Sequence, residues 1–471
     1  MAVGLAVLAG APAWAAPQSG AAAAPPTASA PSADRSVTRP AADLEPDRPG
    51  AGQPASRAAL VAAGSPSAAK LALRRALGRR VTAALSTSGA GVVGAAVDVD
   101  GLGPVLRHNS AHALPPASTQ KSFVVAAALL ALPSDRRLAT SVRTSARLVD
   151  LGAGDHAASG AGPTGGHRAT GRLDGSVVLV AGGDPYLTRA GLRGLALSVR
   201  TAGVRHIAGD VLVDDSRYDH RRRAAGWKSS WMPGQSGPLS ALAVDGNRWR
   251  RDRSFLADPA VPTAALFRDQ LALAGVRVDG QVRRGRAPQG SRVLASRPSA
   301  PLAALATRIL KDSDNFAAEL LLKELGHTLR KDGSSRGGSL AVRGVLRRHG
   351  VPVGTGADGS GLSALNRQTP AGGLALLRAV SASGVAGPFR AAMPLACHDG
   401  TLRRRMCGTA AAGRLNAKTG TLHGVRALAG YTTTARGRGV RFVFQVSGAR
   451  DGRRAQQALD RAAVVLATAR E

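Results

Sequence analysis

Apolar residues from Ala68 to about Leu85 recur at helical spacing, and Val92–Val99 (Val-Val-Gly-Ala-Ala-Val-Asp-Val) reads as a strand that Val105–His108 can pair with. Pro115-Pro116 then punctuates the chain. The run behind it, from Ala117 to Leu132, is apolar on nearly every side, which predicts a fully buried helix ended by Pro133. Between about 140 and 295 the pattern shortens to strands separated by Gly- and Asp-rich turns. Examples are Ser176–Val180, Asp210–Val213 and Val276–Gly280, with helices near 190–201 and 263–274. From Pro301 the helical spacing returns. Ala303–Leu310 leads into a polar break at Lys311-Asp312-Ser313-Asp314-Asn315, and a second helix, Phe316–Leu325, is expected to stop at Gly326. Arg414–Thr434 and Val440–Val446 read as strands, and Asp451 is placed to cap a last helix through Ala469.

This pattern predicts a chain of several parts. At 471 residues it exceeds the size at which one core stops growing. Residues 1–16 are a short apolar stretch closing on Ala13-Trp14-Ala15, which reads as a cleavable export signal. Residues 17–65 are Ala, Pro, Ser and Gly without periodicity and read as a disordered linker. A helix-rich region follows in two pieces, 66–140 and 296–471, interrupted by the strand-rich block 141–295. With aromatics at 3%, the cores must be built mostly from Ala, Val and Leu.

Net charge changes the expected surroundings. It is +33, and the first 65 residues contribute none of it: four Arg (35, 39, 48, 57) balance Asp34, Asp43, Glu45 and Asp47. Such a surface favours anionic partners, cell-wall polymers among them. The same excess of Arg, Ala and Gly is also what a biased coding sequence produces. Nucleic acid is not expected, because no basic run is interleaved with aromatics. The two cysteines, Cys397 and Cys407, suit a disulfide in an exported protein, with a pair of buried thiols as the alternative. With His398 they fall short of a zinc site, so no metal or cofactor is expected.

Three short motifs carry candidate chemistry. Ser118 and Lys121 lie three apart on the predicted buried helix and so share a face. At the helix start, unpaired N–H groups favour an oxyanion, and burial favours an uncharged Lys that can take the Ser proton. The ordinary reading is an N-cap Ser beside a snorkelling Lys, but a Lys early in an all-apolar helix is costly unless used. Ser313-Asp314-Asn315 occupies the polar break. Ser313 can relay a proton and Asn315 can orient an amide, or the three simply cap a helix. Lys418-Thr419-Gly420-Thr421 lies on a predicted edge strand. Lys418 offers a charge for a carboxylate and Thr419 a hydroxyl, while Gly420 lets a ligand approach the backbone. The Thr421 N–H can complete an oxyanion hole with that of Ser118. The ordinary reading is a solvated strand end.

In this order the three motifs match those of penicillin-binding proteins and class A β-lactamases. Further segments make the likeness specific: Leu173–Leu187 (containing Gly182-Gly183-Asp184-Pro185), Gly237–Leu242, Ser313–Glu319, Asp358–Ser363, Asp399–Arg405 and Ala417–Leu422. Over roughly residues 70–470 the chain resembles the D-alanyl-D-alanine carboxypeptidase/endopeptidase family, the class C low-molecular-mass penicillin-binding proteins. The Cys pair flanking Asp399–Arg405 and the long leader depart from that pattern.

The resemblance implies an α/β, transpeptidase-like domain, a sheet covered by helices, interrupted by one or two small inserted domains. It implies Ser118 as nucleophile on the penultimate D-Ala carbonyl of a peptidoglycan stem peptide, Lys121 as base and Ser313 as proton relay. Asn315 would align the peptide, and Lys418, Thr419 and Thr421 would grip its carboxylate. β-Lactams would be covalent inhibitors, and the place of work would be outside the cytoplasm, at the wall. Two rivals stand beside this reading. A class A β-lactamase needs a Glu near the deacylating water, and no Glu lies between Glu45 and Glu319. A non-catalytic wall-binding scaffold would have no need of three intact motifs. Gly182–Pro185 reads as a tight turn, and Asp358–Gly361 either lines the cleft or is structural.

Overall fold

The computed structural model describes residues 67–150, 171–248 and 257–470. The segments read as export signal and linker lie outside them. The fold is mixed α/β. Its central sheet is built from both ends of the described chain: β1 (Val92–Val99) lies between β2 (Gly103–His108) and β14 (Gly439–Ser447), followed outward by β13 (Val425–Thr433) and β12 (Asn416–Leu422). All four pairings are antiparallel.

Both faces of this sheet are covered, which is why its strands read as nearly continuous apolar runs. Ala95, Val97, Phe442 and Phe444 face α1 (Ala68–Ser86) and α10 (Gly452–Ala467). Ala96, Val443 and Tyr431 face the other core. That core contains α2 (Gln120–Ala131), α5 (Leu302–Lys311), α6 (Asn315–Arg330), α7 (Ser335–Arg348), α8 (Pro370–Ser381) and α9 (Ala386–Ala392). α2 is surrounded, with every residue from Gln120 to Leu129 buried. Asp451 caps α10 through the N–H groups of Arg453 and Arg454.

Gly326 does not stop its helix. α6 runs through it to Arg330 and ends where Lys331 turns left-handed at φ 57°. A side chain at Gly326 would overlap the backbone of Asp332 and Gly338, so the glycine serves close packing against α7. Arg414–Thr434, read as one strand region, is two strands with a turn at Gly424.

The chain leaves this domain after α2 and returns before α5 on adjacent strands. β3 (Ala139–Thr144) and β11 (Arg292–Pro298) pair antiparallel, with Ala139 opposite Pro298. The Leu302 N–H closes the base by donating to Arg136 O at 2.8 Å. Between them β4 (Leu148–Asp150), β5 (Gly171–Leu173), β7 (Val204–Ile207) and β9 (Arg277–Val278) form one sheet. β6 (Val177–Val180), β8 (Val211–Asp214) and β10 (Val282–Arg284) join β3 and β11 in another, and α3 (Arg189–Thr201) and α4 (Ala260–Leu273) share their core.

The insert is clamped to α6 by one buried carboxylate. Glu324 accepts from Arg217 Nε and Nη2 at 2.8 and 2.7 Å, from Tyr218 OH at 3.1 Å and from Arg136 Nη2 at 3.1 Å. Burial alone would raise its pKa, but the hydrogen bond and charge of Arg217 outweigh burial and hold it below the ordinary carboxylate value. Removing one partner of a buried pair strands the other. Glu324→Ala is therefore expected to cost about 3 kcal/mol or more in urea unfolding.

Candidate active site

Pro116 passes the chain into a single 3-10 turn, Ala117–Thr119, and then α2. Both the N–H and the hydroxyl of Thr119 donate to Pro116 O, at 3.2 and 2.6 Å. Ala117 takes the left-handed region at φ 47°, an uncommon conformation for a residue with a side chain and one that clusters at functional sites. Two glycines make room for this turn. A Cβ at Gly361 would overlap Ala117 O, and one at Gly420 would come within 2.8 Å of Pro116 O. The space at Gly420, read from sequence as room for a ligand, is thus occupied by the turn bearing Ser118.

Ser118 is half-buried and Lys121 is fully buried. The Lys121 ammonium donates to Ser118 Oγ at 2.9 Å, to Asn315 Oδ1 at 2.8 Å and to Ser360 O at 2.5 Å. Burial lowers its pKa to about 8, against the opposing charges of Asp358, Asp314 and Glu319. About a tenth of Lys121 is then uncharged at pH 7.

The second motif faces the first. Ser313, at φ 56°, sits in the break between α5 and α6, where Asp314 caps α6 through the Ala317 N–H at 3.0 Å. Asn315 is the first residue of α6, and its Nδ2 donates to Gln235 O, in the insert, at 3.0 Å. The third motif arrives on β12, an edge of the central sheet. Lys418 is fully buried and donates to Ser313 Oγ at 2.9 Å and to Thr419 O at 3.0 Å. Burial, then the charges of Lys121 and Arg405, hold its pKa well below the ordinary lysine value. Thr419 Oγ1 donates to Thr401 Oγ1 at 2.9 Å, and Thr421 is exposed. Cys397 and Cys407 are joined in a disulfide that closes the loop carrying Thr401.

Of the two readings of Asp358–Gly361, lining the cleft or structural, the structure shows a turn that reaches Lys121, and it adds Glu319, which was not singled out for the site. Asp358 accepts from Trp227 Nε1 (2.6 Å), Ser360 Oγ (2.8 Å) and Asn366 Nδ2 (2.6 Å), and so fixes the turn whose Ser360 carbonyl holds Lys121. Glu319 accepts from Ser335 Oγ at 2.6 Å and the Gly359 N–H at 2.7 Å. Burial and then the nearby Asp358 push its pKa up to about 7. Two Lys–Ser pairs, each a buried Lys at 2.9 Å from a half-buried Ser, thus make up the site. One is arranged to activate a hydroxyl, the other to pass a proton.

The family model described as D-Ala-D-Ala carboxypeptidase 3 (S13) matches residues 79–253 and 250–469. D-alanyl-D-alanine carboxypeptidase DacB of Haemophilus influenzae is 27% identical over 403 residues, covering 70% of this chain and 80% of its own. Carboxypeptidase DacB of Mycolicibacterium smegmatis is 30% identical over 426 residues, covering 83% and 84%. The crystal structure of penicillin-binding protein 4 from Haemophilus influenzae has the same fold. Its TM-score is 0.70 at 24% identity, covering 81% of this chain and 97% of that one. The same protein has been solved with a bound β-lactam, at a TM-score of 0.63. The family match runs through all three motifs, and the chain belongs to the D-Ala-D-Ala carboxypeptidase 3 (S13) family of serine peptidases.

Proposed function

We propose that this peptidase acts on peptidoglycan stem peptides ending in, or cross-linked through, D-alanyl-D-alanine, by way of an acyl-enzyme on Ser118. The observation that carries the mechanism is the buried Lys121, with a pKa of about 8, hydrogen-bonded to Ser118 Oγ at 2.9 Å. Uncharged Lys121 takes the hydroxyl proton as Oγ attacks the penultimate D-Ala carbonyl. The N–H groups of Ser118 and Thr421 receive the oxyanion. Ser313, backed by Lys418, delivers a proton to the departing amine. Asn315 aligns the peptide, and Lys418, Thr419 and Thr421 receive the terminal carboxylate. The proton held by Lys121 replaces the one Ser313 has given up, so Lys121 is uncharged again in the acyl-enzyme; water then attacks the ester, losing its proton to Lys121, and Oγ leaves with a proton from the same amine. β-Lactams acylate Ser118 because they present the same carbonyl and carboxylate. Stem peptides lie outside the cytoplasm, so we place the enzyme there. Its charge of +33 suits a wall rich in anionic polymer.

The test is intact mass after benzylpenicillin, together with D-Ala release from a synthetic stem peptide. One stable adduct and peptide turnover support the reading. Penicillin hydrolysed without an accumulating adduct and without peptide turnover would make the enzyme a β-lactamase instead. Acylation should also report Lys121. The uncharged form is the active one, so the rate should rise about tenfold per pH unit up to about 8 and level off above it. A rate unchanged between pH 6 and 8 would remove Lys121 as the base.

A further inference from the structure

A cleft of about 1030 Å³ opens between the insert and α7, and none of the three motifs lines it. Arg221, Arg222 and Arg223 form one wall, and Arg336 and Arg343 of α7 form the other. The one acid among the described residues on its lining, Asp219, is already ion-paired with the buried Lys323. Arg222 is held by Asp258 at 3.3 Å, and Arg343 reaches Gly354 O at 3.4 Å. Arg221 and Arg223 are exposed, and neither has a carboxylate partner among the described residues. Arg336 is exposed as well, in the first turn of α7, whose positive end adds to the field.

An Arg-rich chain places arginines over its whole surface, but this group differs in two respects. Its members converge on one concavity from two separate elements, and the only acid among the described residues lining that cavity is already neutralised within the protein. Guanidinium forks in such a setting match paired oxyanions. The cleft also adjoins the catalytic centre. Trp227 lines it and donates to Asp358, and Ser335 lines it and donates to Glu319.

We infer that this cleft binds a run of closely spaced oxyanions, the phosphodiesters or carboxylates of an anionic polymer, and so tethers the enzyme beside its peptide substrate. The tethering role rests on the peptidase reading, whereas the binding does not. Full-length protein would be titrated with fluorescent poly(glycerol phosphate) and, separately, with poly-glutamate, at low and moderate salt. Binding should weaken steeply with salt. Reversing three exposed arginines, R221E/R223E/R336E, should weaken it by about tenfold or more. R75E/R79E/R80E on α1 reverses as many exposed charges away from the cleft and should bind like the wild type. Far-UV circular dichroism and the thermal midpoint of each variant report an intact fold, and Arg→Gln at the same three positions serves if charge reversal prevents folding. The tighter of the two polymers identifies the oxyanion. Equal losses in the two triple variants, undiminished binding by the cleft variant, or no binding of either polymer by the wild type would overturn the inference. D-Ala release from a free peptide plays no part in this readout, so the peptidase reading stands or falls apart from it.

Discussion

A Ser118→Ala protein is expected to take up no benzylpenicillin, and its release of D-Ala to fall by about five to six orders of magnitude. The loss is that large because no other hydroxyl can take the position. Ser313 Oγ is held by Lys418 on the opposite wall, and Thr419 is paired with Thr401. The same substitution should leave the fold intact. Lys121 loses one acceptor and keeps two, Asn315 Oδ1 and Ser360 O. Stability should change by about 1 kcal/mol or less. Adduct formation by this variant, seen by intact mass, would move the nucleophile elsewhere.

Lys121→Met should lower the acylation rate by about three to four orders of magnitude, with the adduct still forming slowly on Ser118. Methionine fills much of the same buried volume but cannot accept a proton. Lys121→Arg is the sharper variant. It keeps the positive charge beside Asp358 and Glu319, yet a guanidinium does not deprotonate at neutral pH. It should be about as impaired as Met, and its residual rate should lose the rise toward pH 8. An Arg variant within tenfold of the wild type would mean that Lys121 acts only through its charge.

Much of this site was legible in the chain because its chemistry is local in sequence. Ser118 and Lys121 are one helical turn apart, and an all-apolar helix makes its single Lys conspicuous. Ser313 and Asn315 share one break between helices, and the tetrad from Lys418 to Thr421 shares one strand. What could not be read acts across long separations. Ser360 reaches Lys121 through a carbonyl, which leaves no trace in residue type. Glu319 looks like an ordinary surface acid, and Asp358 like part of a turn, until α6 and the turn at Gly359 bury them together. Gly326 shows the opposite failure. A glycine after a helical run resembles a terminus, and only the neighbouring helix α7 reveals that its missing side chain serves packing. The pairing of β3 with β11 joins stretches some 150 residues apart and has no local signature at all.

The place of β1 in the central sheet has a consequence for how the molecule comes into being. Its partner on one side, β2, follows within a few residues, but its partner on the other, β14, is made more than 300 residues later. A two-stranded hairpin alone is barely stable in water. α2, which needs this sheet as its floor, therefore has no completed core to enter until Ser447 has been synthesised. The insert, closed at its base by adjacent strands, does not need β14, although Phe316, Leu320 and Leu362 complete its core from outside it. The central sheet is thus the part of the fold that waits longest for its strands. Non-local pairing of this kind is slow to form. Ser118 and Lys121 meet Lys418 only once that sheet has closed, so the catalytic centre depends on its most distant pairing.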